Sequence, residues 1–184
     1  MPAHPADVVG FWLNAGPKKW FAKDDAFDAS IRLKFEPVHL AASRGQYDHW
    51  AGTAEGALAL LILLDQFPRN LWRGSAHAYA TDPLARSVAR TAVEAGHDRA
   101  VDPALRTFFY IPFTHSEDPA DQARAQALYE GLARDLGDPE QVKWTRIHAD
   151  IIARFGRFPH RNKALGRVTT PEEQAFLDDG GFAG

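Results

Sequence analysis

Apolar residues recur at spacings of three and four along most of the chain, punctuated by Gly, Pro and short acidic or hydroxyl side chains, a pattern that predicts helices joined by short turns. Val8, Phe11 and Trp12 form a first stripe, on a helix that begins near Asp7 and stops at Asn14-Ala15-Gly16-Pro17. Phe27, Ile31 and Phe35 form a second, running from Asp24 or Asp25 toward Ala42 and closed by Gly45. Pro37 leaves the continuity of that helix open, because proline removes a donor and crowds the preceding turn. The third helix starts near Thr53 or Glu55 and is apolar on every face through Leu64, as expected of a helix covered by neighbours. It meets polarity abruptly at Asp65-Gln66-Phe67-Pro68-Arg69-Asn70. Pro68 disfavours helical geometry at Phe67, so the helix is predicted to end or kink there and leave backbone groups unpaired.

Further helices are predicted from Asp82 to Ala95, with Pro83 at the first position, and from Asp102-Pro103 through Leu105, Phe108, Phe109 and Ile111 to the polar segment Thr114 to Asp118. Others run from Pro119 to about Leu136, from Pro139 to about Phe155, and from Thr170-Pro171-Glu172-Glu173 onward, the last with a strong N-terminal signature. β-branched residues are sparse and alternating runs short, so strands are not expected. The expected fold is all-α, a compact stack or bundle of helical hairpins in one domain covering residues 1–184.

Composition narrows the chemistry. Five Trp and twelve Phe supply contacts between helices and leave the oligomeric state open, since such residues complete either a monomer core or a subunit interface. With no Cys there is no disulfide, thiol nucleophile or thiolate metal site, so any metal would need His, Asp or Glu. The net charge of -3, from 21 basic and 24 acidic residues, argues against nucleic acid and anionic membranes as partners. The N-terminus lacks the basic and long apolar regions of a signal peptide, and the most apolar run, Ala57 to Leu64, is too short to span a bilayer; a cytoplasmic location is expected.

Four polar clusters sit where helices are predicted to end. In a continuous helix Asp65 would face Arg69 and Gln66 would face Asn70, and these four are candidate caps and loop ties or ligand-binding groups. His115 and Glu117 follow the aromatic helix and are candidates for acid–base work or metal ligation, while Ser116 is a candidate helix cap. His148 is a third candidate acid–base group, or a core histidine, and Asp150 stands at ion-pair spacing from Arg154. In Phe155-Gly156-Arg157-Phe158-Pro159-His160-Arg161-Asn162, Gly156 is suited to terminate a helix and Pro159 to restrict the exit, aiming Arg157, His160 and Arg161 toward one cavity. His160 is a candidate proton-transfer group there, and Arg157, Arg161 and Asn162 candidates to hold an anion. No phosphate-binding glycine loop, dinucleotide fingerprint, serine nucleophile elbow or His-Glu-x-x-His motif occurs, so no cofactor is indicated.

With these motifs in view, the chain resembles the bacterial family called domain of unknown function 924. The resemblance rests on Ile62 to Asn70, Phe108 to Glu117, His148 to Asn162 and Leu165-Gly166-Arg167, supported by Trp20-Phe21 and Thr170 to Glu173. Thr114 stands where the family favours methionine. The resemblance implies a tetratricopeptide-like helical fold and, by fold analogy, a peptide-binding surface, but no reaction.

The leading functional expectation is a soluble helical protein that binds a small anionic ligand or peptide in a polar pocket assembled from Asp65, Arg69, His115, Glu117, His148, Arg157, His160 and Arg161. One alternative is a metal-dependent or histidine/carboxylate-assisted hydrolase, the default reaction where no organic cofactor is indicated. Another is an interaction scaffold whose polar clusters only brace the fold.

Overall fold

The computed structural model describes residues 3–182, and within them the chain contains helices and turns but no strand. It forms two compact units. The first comprises the described residues up to Arg73 together with His77–Pro112, and the second Gly74–Ala76 with the described residues from Phe113 onward.

The first unit contains α1 (Pro5–Ala15), α2 (Pro17–Trp20), α3 (Asp25–Ala42), α4 (Ala54–Leu61), α5 (Phe67–Leu71) and α6 (Asp82–Glu94). Helix α7 (Thr107–Thr114) runs across the boundary between units. The second unit contains α8 (Pro119–Leu136), α9 (Lys143–Phe155) and α10 (Pro171–Asp178). The helix starts follow local chemistry. Asp24 accepts from the N–H groups of Ala26 and Phe27, Thr53 from Gly56, Asp118 from Ala120 and Thr170 from Glu173, each satisfying donors that a helix end leaves over. Ser116, a candidate for the start of α8, stands just upstream of the cap and accepts from the N–H of Asp118 at 3.2 Å. Pro37 does not interrupt α3, which is continuous from Asp25 to Ala42.

Pro68 does not end its helix either. The chain widens into a π-helical turn over Ile62–Gln66 and continues as α5, so it stays helical past the proline. The N–H of Phe67 bonds five residues back to the carbonyl of Ile62. The next donor in that register belongs to residue 68, which as proline has none, and the carbonyl of Leu63 takes His39 Nδ1 at 2.7 Å instead. The carbonyl of Leu64 accepts from Thr81 Oγ1 at 2.6 Å, and that of Asp65 from Arg69 Nη1 at 2.6 Å.

The core of the first unit is aromatic. Trp12, fully buried, meets Trp20, Phe27, Phe67 and Phe108 at centroid distances of 5.6 to 6.2 Å, and the indole of Trp20 donates to the carbonyl of Trp12. Ala85, Ala89 and Ala92 give α6 a buried face of small side chains, and α6 packs on α4. In the second unit α8 packs on α9, and Ile151, Ile152 and Phe158 form a buried cluster against Ile147, Phe155, Phe176 and Phe182.

Candidate functional site

The polar groups marked in the sequence fall into one cluster in each unit. In the first, Gln66 Nε2 donates to Asp65 Oδ2 at 2.6 Å, and Arg69 Nη1 lies 3.5 Å from Asp65 Oδ1. The guanidinium also grips Asp82, the first residue of α6, through two parallel bonds of 3.0 and 3.1 Å, and lies over the ring of Tyr79. Burial works against the charged form of Arg69, but Asp65 and Asp82 outweigh it and hold the pKa above the ordinary arginine value. Asn70 does not pair with Gln66. It donates to Asp28 Oδ1 at 2.7 Å, on a carboxylate that also receives a two-bond fork from Arg73. Asp65, Gln66 and Arg69 thus stand together, and Asn70 turns toward α3.

In the second unit three predicted histidines converge. The rings of His115 and His148 lie 6.4 Å apart, and His148 meets Phe158 at 5.5 Å and Phe182 at 4.7 Å. His160 meets the same two phenyl rings, 5.6 Å from Phe158 and 5.3 Å from Phe182. The guanidinium of Arg161 lies 4.6 Å above Phe158. Each ring has a local reason to be where it is. His115 follows the end of α7, where buried Gln122 of α8 donates through one amide to the carbonyls of Phe113, Thr114 and Ser116 at 3.4, 2.9 and 2.6 Å. His148 is held by Nδ1 against the carbonyl of Trp144 one turn back at 2.7 Å, which places the lone pair of the neutral ring on Nε2. His160 and Arg161 follow Gly156, which ends α9 in the left-handed region at φ 69°, and Pro159, which opens a short 3-10 turn.

Two predicted site residues look elsewhere. Arg157 forks onto Glu173 at 2.6 and 2.8 Å and donates to the carbonyl of Val168, so it ties the helix exit to α10. Fully buried Asn162 donates to the same carboxylate at 3.1 Å. Arg154 pairs with Glu172 at 3.1 Å and not with Asp150. Glu117 accepts from Arg167 and from the N–H of Phe158. Burial raises its pKa, but the Arg167 hydrogen bonds, the Phe158 N–H and the charges of Arg167 and Arg161 outweigh that effect and keep it below the ordinary glutamate value. Among the described residues no group of three His, Asp or Glu side chains is placed to hold a metal ion.

Sequence reasoning did not single out Arg167, Gln122, Glu173 or Phe182 as site residues. Arg167 and Glu173 stand in motifs that carry the family resemblance, a signal that could have found them; Gln122 and Phe182 carry none, since their contacts depend on which helix lies opposite.

No helix of the described residues is long and apolar enough to cross a membrane. No curated protein matches the chain significantly. A solved structure of a protein of unknown function from Agrobacterium tumefaciens, ATU0120, is similar at 52% identity, covering 96% of this chain and 97% of its own, with a TM-score of 0.91. The model of the family described as "Bacterial protein of unknown function (DUF924)" matches residues 8–181, and the chain belongs to that family.

Proposed function

We propose that the second unit binds a small anionic ligand, or the anionic end of a peptide, at His115, His148, His160 and Arg161. The observation that carries this reading is the linked set of three imidazoles, His148 and His160 on the rings of Phe158 and Phe182 and His115 beside His148, with a guanidinium over Phe158. Imidazole and guanidinium groups brought from separate segments onto apolar rings match the chemistry of a carboxylate or phosphate, which needs several donors and a partly desolvated setting. Glu117, Arg157 and Asn162 belong to this reading as the frame that holds the cluster. Asp65, Gln66 and Arg69 brace the π-helical turn of the first unit, and Asn70 ties α5 to Asp28 of α3. The tetratricopeptide-like stacking implied by the resemblance is part of the proposal, supported by the α8 and α9 hairpin.

Nitrogen-15 NMR of the histidine rings tests the reading, with inorganic phosphate and triglycine as probes. Saturable shifts of His115, His148 and His160 with a Kd on the order of 1 mM or tighter are expected, weakened about tenfold by Arg161→Met. Histidine resonances that ignore both probes would sink it. The Nε2 lone pair of His148 favours one further reading, in which this ring acts as a general base in hydrolysis. A panel of phosphate and carboxylate esters should then show turnover that His148→Gln abolishes; turnover unchanged in that variant, or absent from the wild type, rejects it.

A further inference from the structure

One residue at the centre of the histidine cluster is held at both its backbone groups by a single ion pair. The N–H of Phe158 donates to Glu117 Oε1 at 2.8 Å, and the carbonyl of Phe158 accepts from Arg167 Nη2 at 3.0 Å. Glu117 and Arg167 are joined to each other by bonds of 2.8 and 3.0 Å from Nη1 and 3.0 Å from Nη2. Fifty residues separate the two partners, so the closed ring of contacts exists only in the folded chain.

Stability alone is a weak reason for such a pair. Partly exposed ion pairs contribute little, since the attraction is offset by desolvation and side-chain ordering. What this arrangement supplies is direction. The planar guanidinium presents donors to the carboxylate and to the peptide carbonyl at once, which an ammonium point charge does not do. Phe158 itself is fully buried, and its ring is the shared neighbour of His148, His160 and Arg161. Gly156 and Pro159 turn the chain on either side of it; the Phe158 carbonyl also accepts from the N–H of Arg161 at 3.1 Å within the short 3-10 turn, and Glu117 and Arg167 supply the side-chain bonds to its peptide groups.

We propose that Glu117 and Arg167 are positioning residues: by gripping both backbone groups of Phe158 they set where its ring stands, and with it the spacing of His148, His160 and Arg161. The role in anion binding rests on the function proposed above; the effect on the rings does not.

The test uses the full chain with Arg167→Lys, Arg167→Met and Glu117→Gln, and Arg154→Met at the exposed ion pair with Glu172 as a control in the same unit. The first readout is the titration midpoint of His148 and His160 by NMR in ligand-free protein, with His49 of the first unit as an internal reference. Arg167→Lys and Arg167→Met should both move the His148 and His160 midpoints by about 0.5 pH unit or more, while His49 and the control variant stay put. Midpoints that match the wild type in every variant, even if the melting temperature falls, overturn the proposal, because a pair that only stabilises the fold leaves the folded rings unchanged. A shift in Arg167→Met that Arg167→Lys fully restores also overturns it, since charge and not geometry would then be the cause. Should Arg167→Met fail to fold, Arg167→Lys and Glu117→Gln carry the comparison. The second readout is phosphate affinity, expected to fall about tenfold in Arg167→Lys. If the wild type does not bind phosphate, the anion site fails while the ring midpoints still decide the positioning role.

Discussion

Pro68 takes one N–H out of a buried helix, and the side chains around it show how a single missing donor is absorbed. His39 and Thr81 serve the carbonyls of Leu63 and Leu64, and burial outweighs the Leu63 contact to hold the pKa of His39 below its usual value. Thr81→Val keeps the shape and removes the hydroxyl, leaving the Leu64 carbonyl short of a partner at a buried site; it should cost about 1–2 kcal/mol in urea unfolding. In a Pro68→Ala background the restored N–H falls in register with the Leu63 carbonyl and not with that of Leu64, so Thr81→Val should cost the same in both backgrounds. A smaller loss in the Pro68→Ala background would show the restored donor reaching Leu64 instead. The disruption at Pro68 was legible in the sequence, as was the four-residue spacing of Asp65 and Arg69. The partner that dominates Arg69, Asp82 on another helix, was not, because spacing along one helix says nothing about the helix opposite.

At the scale of the element, α10 is the clearest case of local and distant chemistry meeting on one side chain. Glu173 closes the capping box with Thr170, which four consecutive residues announce in the sequence. It also receives Arg157 and Asn162, sixteen and eleven residues away, which they do not announce. The Arg157 hydrogen bonds lead, against the cost of burial and with help from Thr170, in lowering the pKa of Glu173 from 4.5 to about 2. A depressed carboxylate stabilises the fold fully above its unfolded value, and that contribution is lost as pH falls from 4.5 through about 2. Melting temperature should therefore fall less steeply over that window in Glu173→Gln than in the wild type. Parallel curves would mean that the α10 latch does not set acid sensitivity.

At the scale of the molecule, the chain offers its own probes. Trp12, Trp20, Trp50 and Trp72 lie in the first unit and Trp144 in the second. We propose that the two units unfold together as one domain. Fluorine NMR of protein labelled with 5-fluorotryptophan should show all five resonances lost at one temperature. A separate midpoint for Trp144 would assign each unit its own stability and reject the one-domain reading.

The features legible along the chain are local ones. Caps at Asp24, Thr53 and Thr170, prolines in first turns and apolar stripes at helical spacing place the helices, because each signal acts within one or two turns of backbone. Tertiary packing set the π-helical turn at Pro68, the meeting of His148 and His160 on Phe158 with His115 beside His148, and the pairing of Glu117 with Arg167. Those features depend on side chains far apart in the chain finding one another, and the contacts that reward such meetings exist only after the intervening helices have packed.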